Sequence, residues 1–455
     1  MLPETLNIVS TASAGHVIDA YHEVVRVLES LGVRVTHVGI NLDKWYPNEG
    51  RTRYSSYGYE VWDLPRPSGC TTSWWQTQGV FEEAAAALPA LNRMVDKLCA
   101  RHDPSVFLLA DDAGLLEVAL IRAFKQRRCS VVLLEHGYGH IVASEPDPDL
   151  VESVEPAERG EAWLGQVARR ARRVPLRLVA RVRRARRAAT PALPSVGVFG
   201  TNGSDLVCTY SGLSAARLVR AGVDQACLRP TGYPYFDQFV RRAQLERPGS
   251  HGDRPRAVII SNGSGSFGYL AAAVAFYELA LDVAAELQPT HDVVFRLKSG
   301  EQPRTFLPAP LLDRMGTIEM VIDNGSSRSI DFLMDFDLAV GGESTVLLEA
   351  LILGCAPILL DPPAAHARGA VRSPLYGVLK DELQVSRISQ PSETSGVCTS
   401  AADPSYLRGL QLRLAQRQEW LFHALDGQSG RRVAEAILDA SSGAEPEAGG
   451  APGGS

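Results

Sequence analysis

Several features that mark other classes of protein are missing from this 455-residue sequence. No stretch reaches the roughly 18 uninterrupted apolar residues that a membrane-spanning helix needs. The N-terminal segment MLPETLNIVSTASAG lacks the basic and apolar regions of a signal peptide. The net charge of −6 provides no general attraction for nucleic acid. We therefore expect a cytoplasmic protein with no transmembrane helix and no nucleic-acid partner.

Patterns that would indicate a metal site are also missing. The seven cysteines are scattered, without a CxxC motif or a Cys/His cluster, which is not typical of a zinc site or a disulfide framework. A DxD motif is not placed at the end of a predicted strand, because residues 147–149 lie in a polar stretch and residues 335–337 precede a strand. The sequence therefore predicts chemistry that uses neither a metal nor a bound cofactor.

Short apolar runs alternate with helical stretches along most of the chain. This alternation predicts an α/β fold with doubly wound parallel sheets. The pattern is interrupted at about residues 141–195, and the polar segment ERPGSHGDRPR at 246–256 has the composition of a linker. We expect an N-terminal domain over 1–245 with an inserted basic segment, a C-terminal domain over 257–440, and a disordered tail over 441–455. Two such domains enclose a cleft near the carboxyl ends of their strands.

A glycine-rich turn between a strand and a helix occurs at residues 10–16, 261–268 and 341–360. Glycine lets the backbone approach a ligand closely, and the N–H groups at a helix start attract phosphate. The residues that these turns would direct at a phosphorylated ligand are Gly263, Ser264, Gly265, Ser266, Gly342, Ser344 and Thr345. The alternative for each turn is a simple bend whose serine caps the following helix.

The third turn leads into a helix that contains one acidic residue in an otherwise apolar sequence. Glu349 follows Thr345 by four residues, so both side chains lie on one face. A carboxylate at this position has the geometry to accept both hydroxyls of a ribose. The alternative is a solvated surface glutamate, although an unpaired carboxylate among Val346, Leu347 and Leu348 would be costly.

The segment GGESTVLLEALILGCAPILL at 341–360 resembles the C-terminal nucleotide-binding signature of GT-B glycosyltransferases. Residues 7–35 resemble the N-terminal start of the same fold. Residues 133–138 resemble the QHG turn of capsule, surface-carbohydrate and CDP-glycerol glycerophosphotransferase-like enzymes, with Glu135 in place of glutamine. Residues 203–237 and the strand end FRLKSGE at 295–301 are similar to further segments of these enzymes. The resemblance implies two Rossmann-like domains that face each other across a cleft and bind a nucleotide-activated sugar as co-substrate.

A GT-B cleft requires a base that takes the proton of the acceptor hydroxyl. His136, in the sequence EHGYGH after a predicted strand, is one candidate, and His16 at the first turn is the other. Asp112 ends another predicted strand and has the position to orient either histidine. The alternatives are that the histidine stabilises a tight turn and that the aspartate caps the next helix.

Arg296 and Lys298 alternate with apolar residues, which places both basic groups on one face of a strand. Near the cleft they would neutralise the phosphates of the donor. The alternative is the solvated face of an edge strand.

The segment VARRARRVPLRLVARVRRARR at 167–187 contains ten arginines and no acidic residue. It predicts a peripheral contact with an anionic membrane surface, which would suit a lipid-linked acceptor. Binding to nucleic acid is less well supported, since no recognisable module accompanies the segment. The alternative is a solvated insertion that pairs with acidic residues upstream.

We interpret the sequence as a metal-independent GT-B glycosyltransferase that moves a sugar from a nucleotide donor to a carbohydrate or lipid-linked acceptor. Bacterial surface polysaccharide or glycoconjugate synthesis is the expected setting. One alternative is a nucleotide-sugar 2-epimerase of the same fold, which would need no acceptor. Another is a non-catalytic nucleotide-sugar-binding or membrane scaffold protein, which would keep its function without His16 and His136.

Overall fold

The structure is a computed structural model of the whole chain. It describes residues 3–12, 14–41, 49–64, 81–112, 115–136, 199–245, 253–261, 270–298, 301–322, 328–363 and 374–442. The turn at 263–266, the basic segment 167–187 and the tail predicted over 441–455, apart from its first two residues, lie outside the described residues.

In the described part of the N-terminal half, the strands form one parallel sheet. Their order across the sheet is β3-β2-β1-β4-β5-β6-β7. The strands are β1 (Thr5–Ala12), β2 (Arg34–Asn41), β3 (Glu60–Asp63), β4 (Val106–Leu109), β5 (Ser130–Leu134), β6 (Leu206–Thr209) and β7 (Leu228–Pro230). The helices of this half are α1 (Gly15–Ser30), α2 (Glu49–Ser56), α3 (Phe81–His102), α4 (Leu115–Lys125), α5 (Gly212–Arg220) and α6 (Tyr235–Leu245).

The described C-terminal half contains a second parallel sheet, with strand order β10-β9-β8-β11-β12-β13. The strands are β8 (Arg256–Ile260), β9 (Asp292–Leu297), β10 (Glu319–Ile322), β11 (Leu338–Gly341), β12 (Ala356–Leu360) and β13 (Arg387–Ile388). The helices are α7 (Leu270–Leu287), α8 (Ala309–Met315), α9 (Ser329–Leu333), α10 (Thr345–Leu353), α11 (Pro374–Gly377), α12 (Thr394–Ala401), α13 (Pro404–Phe422) and α14 (Ser429–Ser442). The two sheets confirm the predicted α/β fold class with two doubly wound parallel sheets.

The strands of both sheets are rich in buried aliphatic residues because helices cover both faces of a parallel sheet. One cluster, with Val9, Phe107 and Val131, packs one face of the first sheet against α3 and α4. A corresponding cluster packs α7 against the second sheet. A third and larger cluster contains side chains from both halves, among them Phe236 of α6 and Leu347 of α10, and these two helices contact each other. The two halves are therefore joined by a continuous apolar interface.

The C-terminal helix α14 packs on helices of the N-terminal half. It contacts α1 and α6, and its buried side chains include Val433 and Ile437. Asp237 of α6 caps the start of α14, because its carboxylate accepts hydrogen bonds from the backbone N–H groups of Ser429 (3.0 Å) and Gly430 (2.7 Å). The sequence-based division at 245 and 257 does not anticipate this return of the chain, and the domain boundaries remain predictions.

Among the described residues, no helix combines the length and apolarity that crossing a membrane would require.

Candidate functional site

Each sheet has a point at which the strand order reverses, and ligands of doubly wound sheets bind at the carboxyl ends of the strands there. In the first sheet this point lies between β1 and β4, and in the second sheet it lies between β8 and β11. His16 follows β1, Asp112 follows β4, and Ser344 follows β11. Several residues singled out in the sequence therefore lie at the two positions that the topology favours for ligands.

The two candidate histidines are close together. His16 is in the first turn of α1, and His136 follows β5, two strands away from β1 in the sheet. Their ring centroids are 5.8 Å apart, and both side chains are half-buried. The Nδ1 atom of His136 lies 2.7 Å from the carbonyl oxygen of Ala110. Because a carbonyl can only accept, Nδ1 carries the proton, and in the neutral ring the basic nitrogen is Nε2.

Tyr235, at the start of α6, connects these histidines to the C-terminal half. Its ring lies edge-on to His16, with 5.7 Å between the centroids. On its other side the phenol lies beside the side chains of Ser329 and Glu349. Burial raises the pKa of Tyr235 well above its ordinary value, and the nearby carboxylate of Glu349 raises it further. Tyr235 therefore remains a neutral hydrogen-bonding group at the junction of the two halves.

Glu349 lies inside the protein, with 3% of its surface exposed. The alternative of a solvated surface glutamate is therefore wrong. Its carboxylate is near the positively charged guanidinium group of Arg296. The hydroxyl groups of Ser329, Thr345 and Tyr235 also surround it. Burial raises the pKa of Glu349 to about 7, although Arg296 and the three hydroxyls each act to lower it. Desolvation outweighs these favourable contacts because the group is removed from water.

Arg296 is buried with Glu349 and is 4% exposed. Its strand, β9, lies between β8 and β10, so the alternative of a solvated edge strand is wrong for this residue. The guanidinium group stacks on the ring of Phe332 at 4.5 Å. Lys298 lies beyond the end of the strand and is half-buried. Arg296 therefore interacts with a protein carboxylate, and contact of Arg296 or Lys298 with donor phosphates remains a prediction.

The start of α10 has the structure of a capped helix. The hydroxyl oxygen of Ser344 accepts a hydrogen bond from the N–H of Val346 at 3.3 Å, as the N-cap alternative for this turn proposes. Gly342 is buried, and Thr345 is half-buried beside the carboxylate of Glu349. The predicted placement of Thr345 and Glu349 on one face is therefore observed, while a role of this turn in binding phosphate remains a prediction.

Asp112 is buried and binds a backbone loop. Its carboxylate accepts hydrogen bonds from the N–H groups of Gly200 (2.9 Å) and Asn202 (3.4 Å). Burial raises its pKa to about 6, while these hydrogen bonds lower it. Its observed contacts position the segment that precedes β6, and the proposal that it orients a histidine remains a prediction.

Glu135, which precedes His136, is 1% exposed. Its carboxylate accepts hydrogen bonds from the hydroxyl of Ser214 (2.6 Å) and the N–H of Tyr210 (2.8 Å). Burial raises its pKa to about 7, and the two hydrogen bonds lower it. Glu135 thus attaches the end of β5 to the start of α5, which holds the adjacent His136 in position.

Replacing Glu135 with glutamine is expected to change the pH dependence of stability. The pKa of Glu135 is raised in the folded protein, so its contribution to stability is present below its ordinary pKa of 4.5 and is lost as the pH rises through about 7. Glutamine does not ionise and preserves the shape of the group. The free energy of unfolding of Glu135→Gln, relative to wild type, should therefore rise by about 1–3 kcal/mol between about pH 5 and about pH 8.

Urea denaturation at these two pH values measures this difference. Glu286→Gln, on the exposed side of α7, is the matched control and should show no such change. A difference between Glu135→Gln and wild type that is the same at both pH values would contradict this account of Glu135.

Tyr235 and Ser329 are not among the residues that the sequence predicts for the site. Tyr235 is part of TGYPYFD, a segment noted for its resemblance to GT-B enzymes, so that segment held a usable signal. Ser329 begins the short helix α9 and has no distinctive neighbours in the sequence. Both residues gain their significance from contact with Glu349, which lies in a different part of the chain.

No protein-family model matches this sequence, and no curated protein matches it. Solved structures are similar over nearly the whole chain. UDP-GlcNAc 2-epimerase from Neisseria meningitidis bound to UDP-GlcNAc superposes with a TM-score of 0.56 at 10% identity, covering 96% of this chain and 100% of the other. The enzyme of the same name from Methanocaldococcus jannaschii, in complex with UDP-GlcNAc and UDP, gives 0.54 at 12% identity, with coverage of 96% and 99%.

A UDP-glucosyltransferase from Polygonum tinctorium, in a complex with 3,4-dichloroaniline, is similar to the same extent. Its TM-score is 0.55 at 14% identity, and the match covers 97% of this chain and 99% of the other. Epimerases and a glycosyltransferase thus share this architecture, and identities this low establish the fold alone. Together with the two parallel sheets, these likenesses show that the chain has the GT-B fold.

Proposed function

We propose that this protein is a nucleotide-sugar enzyme that transfers a sugar to an acceptor hydroxyl, with its active centre between the two sheets. The observation that carries the proposal is the contact of Tyr235 with His16 on one side and with Glu349 on the other. It places a pair of imidazoles in the N-terminal half next to a charged, polar cluster in the C-terminal half. An acceptor and an activated donor need these two environments side by side.

In the proposed reaction the Nε2 atom of His136 takes the proton of the acceptor hydroxyl. The hydroxyl oxygen then attacks the anomeric carbon of the sugar, and the nucleoside diphosphate leaves with the electrons of the broken bond. The backbone N–H groups at the start of α10 and the side chain of Lys298 stabilise the charge that develops on the diphosphate. Arg296 acts through Glu349, since the two are buried together.

A ribose bound by Glu349 would approach a carboxylate that is almost fully buried beside the hydroxyls of Ser329, Thr345 and Tyr235. The Oε2 atom of this carboxylate has no hydrogen-bond partner among the described residues. Because a ribose diol offers O–H donors, it would supply that hydrogen bond and displace the hydroxyl of Ser329 or Tyr235 from the carboxylate. Binding of the donor would then change the contact between Tyr235 and His16, which links the donor site to the acceptor side.

An epimerase is the second candidate, and the paired histidines are the observation that favours it. Inversion of a carbon in a sugar requires removal of a proton and its return on the opposite face. Two imidazoles whose centroids are 5.8 Å apart bring two groups that can give and take a proton into one site. Such an enzyme would act on the nucleotide sugar without an acceptor.

Two measurements, made one after the other, test these two candidate functions. A thermal-shift panel of UDP, GDP, CDP, CMP and dTDP compounds identifies the donor, because a ligand that binds the folded state raises its melting temperature. The stabilising nucleotide sugar is then incubated in D₂O without an acceptor and followed by NMR. Deuterium in the sugar together with a new epimer identifies an epimerase. An unchanged sugar that is transferred once acceptors are added identifies a transferase. If no nucleotide compound stabilises the protein, both forms of the proposal fail.

The acceptor and the cellular setting belong to the same proposal. The sequence predicts a carbohydrate or lipid-linked acceptor, a place in surface polysaccharide or glycoconjugate synthesis, and contact of 167–187 with an anionic membrane, and we include these in the proposal. The basic segment has a direct test, which is co-sedimentation of the full chain with vesicles that contain about 30% anionic lipid, compared with neutral vesicles.

A further inference from the structure

Two cysteines that are distant in sequence lie near each other at the amino ends of the strands of the first sheet. The histidines lie at the opposite end, beyond the carboxyl ends of the strands. Cys99 is near the C-terminal end of α3, and Cys129 directly precedes β5. The N–H of Asp103 donates to the carbonyl oxygen of Cys99 at 2.9 Å, and the Sγ atom of Cys129 donates to the carbonyl oxygen of the next residue, Pro104, at 2.9 Å. Both cysteines are thus held against the same short turn, and each thiol affects the pKa of the other. Both are free thiols, and both pack on the same apolar cluster.

The two thiols have different environments. Cys99 is half-buried, whereas Cys129 is 4% exposed. The neighbouring thiol of Cys129, together with the positive charge of Arg127, lowers the pKa of Cys99; burial and the carboxylates of Asp96 and Asp103 oppose this. Contact with Cys99 and burial raise the pKa of Cys129. Because the thiolate is the nucleophile, Cys99 is the sulfur that reacts first with a reagent from solvent.

We propose that Cys99 and Cys129 form a reversible dithiol–disulfide pair that is oxidised by peroxides. The Cys99 thiolate attacks one peroxide oxygen, breaks the O–O bond and becomes a sulfenic acid, while the other oxygen leaves as water after taking a proton. Cys129 then attacks the Cys99 sulfur, the S–S bond forms, and the sulfenic oxygen leaves as a second water. The two sulfurs supply the two electrons that reduce the peroxide.

The cross-link would constrain the N-terminal half without entering the candidate active centre. The closed loop from 99 to 129 includes β4 and α4, and it would attach the end of α3 to the start of β5. His16 and His136 lie beyond the carboxyl ends of their strands, at the opposite end of the same sheet. We therefore expect the oxidised protein to melt at a higher temperature, by roughly 5–10 °C, with unchanged nucleotide binding.

The test uses the full chain, folded and fully reduced. It is treated with hydrogen peroxide, alkylated after unfolding, and analysed by intact mass and peptide mapping. The expected product is about 2 Da lighter before alkylation, has two fewer alkylated thiols and contains one cross-linked peptide pair that joins Cys99 to Cys129. Dithiothreitol should restore the starting mass.

Three variants test the roles of the individual thiols. Cys129→Ser should leave Cys99 as a sulfenic acid that dimedone captures, and Cys99→Ser should slow oxidation of Cys129 at least tenfold. Cys227→Ser, at a half-buried thiol of another segment, should form the same cross-link as wild type. The proposal is overturned if Cys99 proceeds to sulfinic acid without a cross-link, if another pair is joined, or if neither thiol reacts. Peptide mapping of the oxidised wild-type protein tests the proposed cross-link even where a variant does not fold.

Discussion

His136→Gln is expected to lower kcat by about 10²–10⁴ with little change in nucleotide binding, because it removes the base that takes the acceptor proton. The hydrogen bond from Nδ1 to the carbonyl of Ala110 fixes the ring, and Nε2 is then its basic nitrogen. Glutamine keeps a polar side chain in this half-buried position. Binding is therefore expected to survive the loss of the chemical step.

His16→Gln separates the two candidate bases. The ring of His16 lies edge-on to Tyr235, so its replacement should loosen Tyr235, which contacts Glu349 of the other half, and affect KM as well as kcat. The prediction is a loss in kcat that is at least tenfold smaller than that of His136→Gln. Steady-state kinetics with the donor found by thermal shift measure both losses.

A third histidine provides the control for these kinetics. His423, the residue after α13, has φ 64° and ψ −60°, and asparagine, like histidine, is among the residues found most often at positive φ. His423→Asn should therefore keep wild-type kcat and KM. If His136→Gln retained wild-type kcat while His16→Gln lost activity, the roles assigned to the two histidines would have to be exchanged. Full activity in both variants would refute a catalytic role for the pair.

Glu349→Leu is expected to lower the free energy of unfolding by about 3–5 kcal/mol at about pH 8, where the carboxylate is largely ionised. The substitution leaves the buried guanidinium of Arg296 without its acidic neighbour, in a position that is 4% exposed. It also removes the polar group beside the hydroxyls of Ser329 and Tyr235. The loss is large because a buried charge loses its neighbour and buried hydroxyl groups lose a polar contact.

The double variant Glu349→Leu with Arg296→Met tests this explanation. Methionine removes the uncompensated charge and fills a similar volume, so the double variant should recover at least half of the lost stability. Glu286→Leu, on the exposed side of α7, should change stability by no more than about 0.5 kcal/mol. Urea denaturation measures all four proteins. A double variant that is less stable than Glu349→Leu would show that Arg296 contributes through other contacts, such as its stacking on Phe332.

The environment of Glu349 shows where prediction from sequence succeeds and where it ends. The four-residue spacing from Thr345 correctly placed both side chains on one face, because helix periodicity is a local property. The cost of an unpaired carboxylate in an apolar helix correctly required a partner. The identity of that partner could not be predicted, since Arg296, Ser329 and Tyr235 come from β9, α9 and α6.

The N-terminal half shows the same division. The QHG-like turn marked His136, and the first glycine turn marked His16, yet their proximity depends on the strand order β1-β4-β5. Asp112 was chosen as a partner for a histidine because it ends a strand. Its carboxylate is occupied by the backbone of Gly200 and Asn202, which no local pattern indicates. Likewise, the capping of α14 by Asp237 connects residues 192 positions apart.

By itself the sequence determined the alternation of strands and helices, the two parallel sheets and the turns that hold the candidate site residues. These follow from periodicity and turn chemistry, which act over a few residues. Only the tertiary structure decided that Glu349 is buried against Arg296, that Tyr235 joins the halves, and that the two histidines form a pair. Those contacts depend on the order of strands and on the packing of helices from both halves, which is set by the burial of apolar surface across the whole chain.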